Sequence, residues 1–271
     1  MTDPADLGHA LDPDESLEEG ERVADEPSRM SFLDHLDELR RRIMYALYAV
    51  IGACVVTFYF WDQMFVYLAT YFQQHGGNLI YTRPMGAFLF NMKVGALAGL
   101  LLASPFVFAQ LWLFIAPGLY AREKRVVIPF VGLSSILFGG GAFFAHQVAF
   151  PAMWKFFASY AGLGGLQFFP TIDDTFAFYV KTIIGLGLIF QMPLLVYFLA
   201  RFGIVSAGFM LRHYKYAVLI IVVLAAVITP SGDMVTLGVF AAPMLVLYGV
   251  SIGVAWIVGG RRRRDRDRED E

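Results

Sequence analysis

Residues 31–61 read SFLDHLDELRRRIMYALYAVIGACVVTFYFW, a charged segment ending in three arginines and then an apolar run. No charged side chain occurs from residue 43 to residue 61. A run of that length is close to the ~20 residues that carry a helix across a ~30 Å hydrocarbon core. Arginines at its edge are what a cytoplasmic membrane boundary carries. The theme recurs at about 89–108, 126–145, 178–200, 216–228 and 235–258. The chain of 271 residues is 58% hydrophobic, with a mean hydropathy of +0.59. That exceeds the ~45–50% apolar content of soluble domains. The expected fold is all-α: a polytopic membrane protein of six transmembrane helices. A transmembrane barrel would show short alternating segments instead. The fifth span is short, about 20 Å of helix. Either the bilayer thins there or protein excludes lipid.

Charge is segregated along the chain. Residues 1–30 are acidic and carry few large apolar side chains, which predicts a disordered tail. That stretch contains no apolar core for a cleavable signal sequence. Residues 31–259 hold the spans, and 260–271 form a second charged tail. With the N-terminus inside, fifteen Lys and Arg fall on the cytoplasmic side, from Arg40 to Arg268. Only four, Arg83, Lys93, Lys155 and Lys181, fall outside. The asymmetry predicts both termini in the cytoplasm. Cys54 is the only cysteine, so no intrachain disulfide forms, and the five histidines show no metal-binding spacing. No cofactor is expected.

Two outer segments are long. Residues 62–88 include FVYLATYFQQHGG, aromatic at helical spacing and suited to the outer interface. Residues 147–177 include Thr171 and Asp173, either of which suits the cap of span four. Gly95 and Gly99 in span two have the small-xxx-small spacing that lets helices approach closely. Pro105, Pro129 and Pro193 interrupt spans.

Within the first stretch, Ser31 and Asp34 fit a capping box. Phe32, Leu36, Leu39 and Ile43 form a stripe expected to seat the helix on the bundle. Asp37 and Glu38 precede Arg41 and Arg42 by four residues, pairs each worth ~0.3–0.5 kcal/mol. This is compatible with a solvated turn carrying a topological anchor, and equally with acids set out for a ligand. A second stretch is SPFVFAQLWLFIAPGLYAREKR, residues 104–125. Its single acid, Glu123, either pairs with Lys124 or Arg125 or joins Glu38 as a second cytoplasmic carboxylate.

Together these stretches resemble the TatC family, the multispanning subunit of the twin-arginine protein translocase. The family pattern HLxELRxR stands here as His35 to Arg42, and QLWLFIAPGLYAREKR ends the second stretch. PTIDDTFAFYVK at 170–181 and TPSGDMVTLGVFAAPM at 229–244 match as well. The resemblance implies a concave, glove-shaped bundle in a bacterial or archaeal cytoplasmic membrane. It implies a receptor for signal peptides with two consecutive arginines, on substrates exported folded at the expense of the proton-motive force. By position, Glu38 and Glu123 would read the arginines, supported by Arg40, Leu39, Phe114 and Pro117. Carboxylates are suited to that task, because guanidinium binds them bidentately. The implied partners are small single-span subunits of the TatA and TatB type, in an assembly of like or unlike subunits. Nucleic acid is not among them.

Two positions depart from the family. Where members often carry a glutamate in span four, GLGLIFQMPLLVY has Gln191. It keeps hydrogen-bonding capacity without a titratable proton. Gln191 either contacts a partner helix, the reading preferred here, or fills the donor gap left by Pro193. The acid of span six is replaced near Gly249. Asp233 is retained and either caps span six or orients the partner site. A solute transporter would place charges inside the spans and show an inverted repeat. An intramembrane enzyme would show HExxH, GxSxG or paired aspartates. The span interiors are nearly uncharged and neither a repeat nor an enzyme motif is seen, so no catalytic residue is assigned.

Overall fold

In the computed structural model the described residues are 32–76, 79–115, 124–159, 169–229 and 233–269. Side chains are described for 35–75, 79–115, 128–159, 169–229 and 233–260. The acidic stretch 1–30, the Ser31 cap, Pro117 and Glu123 lie outside these residues.

The described chain is helical throughout, apart from turns and one isolated bridge between Ile80 and Thr171. Helix α1 (Phe32–Tyr59) runs into α2 (Trp61–Gly76), and α3 (Gly86–Ile115) follows. Helix α4 (Lys124–Phe144) continues through a π-helical turn, Ala145–Ala149, into α5 (Phe150–Ser159). Next come α6 (Ile172–Ile189), α7 (Met192–Arg201) and the short α8 (Ala207–Arg212). Helix α9 is Tyr214–Ile228, and α10 is Met234–Glu269. Five stretches are long and apolar enough to cross a membrane: 35–59, 86–115, 128–159, 172–201 and 234–260. The sixth, α9, has 15 residues, about 22 Å of helix, as its short apolar run predicts.

Three expectations change in detail. Span three does not end near residue 145: the π turn absorbs an extra residue, and the helix runs on to Ser159. Span four is two helices, broken at Phe190 and Gln191 just before Pro193, whose ring cannot follow an unbroken turn. Two members of the stripe predicted to seat α1 face outward, Leu36 44% and Ile43 56% exposed, while Leu39 is half-buried. Lipid tails are as apolar as leucine, so burial against protein has no advantage for such side chains. The helix turns its small and polar residues inward instead.

That inward face packs antiparallel along α3. Thr57 donates to the Gly95 carbonyl at 2.7 Å, and Cys54 lies against Gly99. A Cβ at Gly99 would come within 2.6 Å of Cys54 Sγ and 2.8 Å of its Cα, so only glycine permits this approach. The Gly95 and Gly99 spacing therefore does what its sequence predicts. Pro105 lies inside α3 without ending it. It leaves the Leu101 carbonyl without its helical donor, and the Ser104 hydroxyl supplies one at 2.7 Å.

The best-packed region joins α2, α3, the π turn, α5, α6, α9 and α10. Phe72, Phe90, Phe150, Leu186, Ile221 and Phe240 are fully buried there. Helix α2 is thus a core element that keeps Val66 and Tyr67 on its outer side. The two outer connections are tied together: Ile80 N–H donates to the Pro170 carbonyl, and Ile172 N–H to the Ile80 carbonyl, both at 3.1 Å. Thr171 caps α6, accepting from the Asp174 amide, and Lys93 reaches Asp173 at 3.0 Å.

Candidate functional site

The first turns of α1 lie beside the last turns of α3. Helical spacing puts His35, Glu38 and Arg42 on one side of α1, while Gln110 and Phe114 are one turn apart on α3. The antiparallel register opposes them. His35 stacks on Phe114, with ring centroids 4.5 Å apart and planes 20° apart. Arg42 holds Glu38 Oε1 through Nε and Nη2, both at 2.7 Å, and its Nη1 donates to Gln110 Oε1 at 3.2 Å. The side chains of Glu38 and Arg42 are 19% and 25% exposed. This is a carboxylate at a membrane edge, partly withdrawn from water, with a guanidinium already seated on one oxygen. In such surroundings a charge-assisted, forked contact is stronger than on an open surface.

Of the residues named from sequence, Glu38 and Phe114 come together here, each through a neighbour. Leu39 is half-buried beside them, and Arg40 is exposed. Gln110 and the stacking of His35 were not predicted. Gln110 was detectable as a polar side chain within an apolar helix, and His35 stands in the HLDELRRR motif itself.

Gln191 belongs to a second cluster. Its Nε2 donates to the Ser134 carbonyl on α4 at 3.0 Å. Ser134 Oγ also accepts from Trp112 Nε1 at 2.6 Å, so one fully buried serine ties spans two, three and four. Gln191 makes no side-chain cap bond to α7; its amide donates to α4 instead. Asp233 Oδ1 accepts from the Thr236 amide at 2.7 Å and caps α10. Among the described residues, no group of three or more His, Cys, Asp or Glu is placed to hold a metal.

The model of the Sec-independent protein translocase protein TatC matches residues 34–243. The chain belongs to the TatC family. A TatC of Koribacter versatilis is 42% identical over 253 residues, covering 89% of this chain and 91% of its own. A Helicobacter pylori TatC is 35% identical, covering 88% and 94%. A crystal structure of the twin arginine translocase receptor TatC superposes with a TM-score of 0.72 at 31% identity. The match covers 83% of this chain and 99% of that one. TatC membership makes this a multi-pass transport component rather than a catalyst. The TatC match spans Glu38, Gln110, Phe114 and Gln191, so both clusters lie in the part shared with the family.

Proposed function

We propose that this chain is the signal-peptide receptor of a twin-arginine translocase, taking part in the export of folded proteins driven by the proton-motive force. The observation that supports it best is the pairing of Glu38 with Arg42. The carboxylate at the helix edge already accommodates a guanidinium, the group a twin-arginine peptide presents. Glu38 and Glu123 read the two arginines, with Leu39, Arg40, Phe114 and Pro117 shaping the surface. The excess of basic residues near this end of the spans supports a topology with both termini in the cytoplasm. Small single-span subunits pack against the bundle, with Gln191 and Asp233 as the contact region proposed for them.

The test is binding of a twin-arginine signal peptide to the full chain in nanodiscs, with export assayed in a strain lacking its own receptor. Glu38→Arg and Glu123→Arg are each expected to weaken peptide crosslinking and export. If both leave crosslinking and export at wild-type levels, the assignment of the site is wrong.

A further inference from the structure

His146 sits on the π turn between α4 and α5, at the end of the bundle away from Glu38. Such turns often mark functional positions. Tyr67 and Tyr71 lie one turn apart on α2 and face it together. The Tyr67 hydroxyl is 3.0 Å from Nε2, and the Tyr179 hydroxyl of α6 is 2.9 Å from Nδ1. Tyr71 stacks on the ring, with centroids 4.1 Å apart, and donates to the His146 carbonyl. One residue thus ties α2, the π turn and α6. Its two hydroxyl partners differ in surroundings. Tyr67 is 60% exposed, whereas Tyr179 is 7% exposed. Among the described residues, His146 is the one hydrogen-bond partner of the Tyr179 hydroxyl.

This difference decides where the protons go. A neutral imidazole donates through one nitrogen and accepts at the other. The buried Tyr179 O–H has Nδ1 as its acceptor, so Nε2–H donates to Tyr67, whose own proton turns outward. Every polar atom is then satisfied. A doubly protonated ring donates at both nitrogens. Tyr179 must then accept, and its proton is stranded among Phe72, Phe150 and Phe176. We infer that His146 is a proton-operated latch: neutral, it clamps α2 to α6 at this end of the bundle, and protonated, it releases them. Acid therefore favours the open form. The other ionisable groups of these elements do not cancel the effect. His75, one turn beyond Tyr71 on α2, donates Nδ1–H to the Tyr71 carbonyl at 2.8 Å. It can take a proton on its other nitrogen without losing that bond. Asp62, Lys155 and Lys181 are exposed, Asp173 pairs with Lys93, and Asp174 sits at the α6 cap. Helix α4 has no ionisable side chain from 128 to 144. On the topology proposed above, this end faces outward, the side that a proton-motive force acidifies.

The latch does not depend on the receptor reading, and its test needs neither peptide nor export. Thermal stability of the full chain in nanodiscs would be followed from about pH 8 to about pH 5, the range in which histidine changes charge. His146→Gln donates and accepts without titrating. The wild-type melting temperature is expected to fall by roughly 2–10 °C more than that of His146→Gln, the scale of one stranded hydroxyl. His75→Gln is expected to keep the wild-type fall. Tyr179→Phe removes the hydroxyl that protonation strands, so it should shrink the fall, and it provides the comparison if the glutamine variant does not fold. Nitrogen NMR of histidine-labelled protein gives a readout that a merely structural role would not move. Near neutral pH the His146 ring is expected to carry one proton, on Nε2. Tyr67→Phe, at an exposed position, identifies the signal by shifting it. An undiminished fall with His146→Gln or Tyr179→Phe, or a ring that carries its proton on Nδ1, would overturn the latch.

Discussion

Arg42 satisfies Glu38 with two of its five donors and spends a third on Gln110. On the proposed receptor reading, a peptide guanidinium arriving at Glu38 would therefore compete with a resident one. Arg42→Lys keeps the charge but loses the planar fork, so Glu38 is held less firmly. Peptide affinity is expected to rise about two- to fivefold, the equivalent of a partly exposed ion pair. Titration in nanodiscs checks this, with Arg41→Lys as a control at an exposed neighbour; a weaker peptide with Arg42→Lys would show that Arg42 orients the carboxylate instead. At the Ser134 cluster the stakes are structural. Ser134→Ala leaves the Trp112 N–H without its acceptor in the interior, at about 1–3 kcal/mol. Gln191→Leu removes one interhelical bond, about 0.6–2 kcal/mol in lipid. Thermal denaturation of the detergent-solubilised protein is expected to rank the serine variant lower; the reverse order would show that Trp112 finds another acceptor.

Spans, their count and the close approach at Gly95 and Gly99 were legible from hydropathy and small-residue spacing. The inward face of α1 was not. Periodicity shows that a helix has two faces, but in a bilayer the apolar one has no reason to choose protein. Leu36 and Ile43 went to lipid while Ala49, Ala53, Cys54 and Thr57 went to α3, a choice set by close packing that a hydrophobic stripe does not encode. The π turn at Ala145–Ala149 carries no sequence signal of its own, and the pairing of Gln191 with Ser134 was hidden because it joins residues far apart in sequence. Part of the candidate site was legible, because Glu38–Arg42 is a local i,i+4 pair. The contribution of α3 through Gln110 was not. A comparison of two glycines tests the reading of the interface. Gly99→Ala drives a methyl into the Cys54 backbone and is expected to cost about 1–3 kcal/mol. Gly139→Ala meets open space and is expected to be neutral or slightly stabilising. Equal melting temperatures for the two variants would mean that α1 and α3 separate easily.

Across the molecule, packing is uneven. The largest fully buried side chains gather where α2, α3, α5, α6, α9 and α10 meet, whereas α1 is attached chiefly through its one face on α3. His146, on the π turn, joins this region. Its two ring nitrogens lie 3.0 and 2.9 Å from the hydroxyls of Tyr67 and Tyr179, and Tyr71 donates to its carbonyl. Helix α9 joins this firm region by one side only. Ile221 and Ala225 are fully buried, and Ile228 lies near Gly185 of α6. Tyr216, Leu219 and Val227 on its other side are 60–78% exposed. Among the described residues, protein does not shield that side of α9, so its 15 residues must meet a bilayer of ~30 Å with about 22 Å of helix. The mismatch costs fractions of a kcal/mol per Å. Thermal stability in nanodiscs is therefore expected to fall as the acyl chains lengthen. Inserting four leucines after Leu224 adds about one turn, keeps the buried face nearly in phase and should flatten that dependence. A wild-type protein equally stable in short-chain and long-chain lipid would show that the bilayer adapts around α9 without strain.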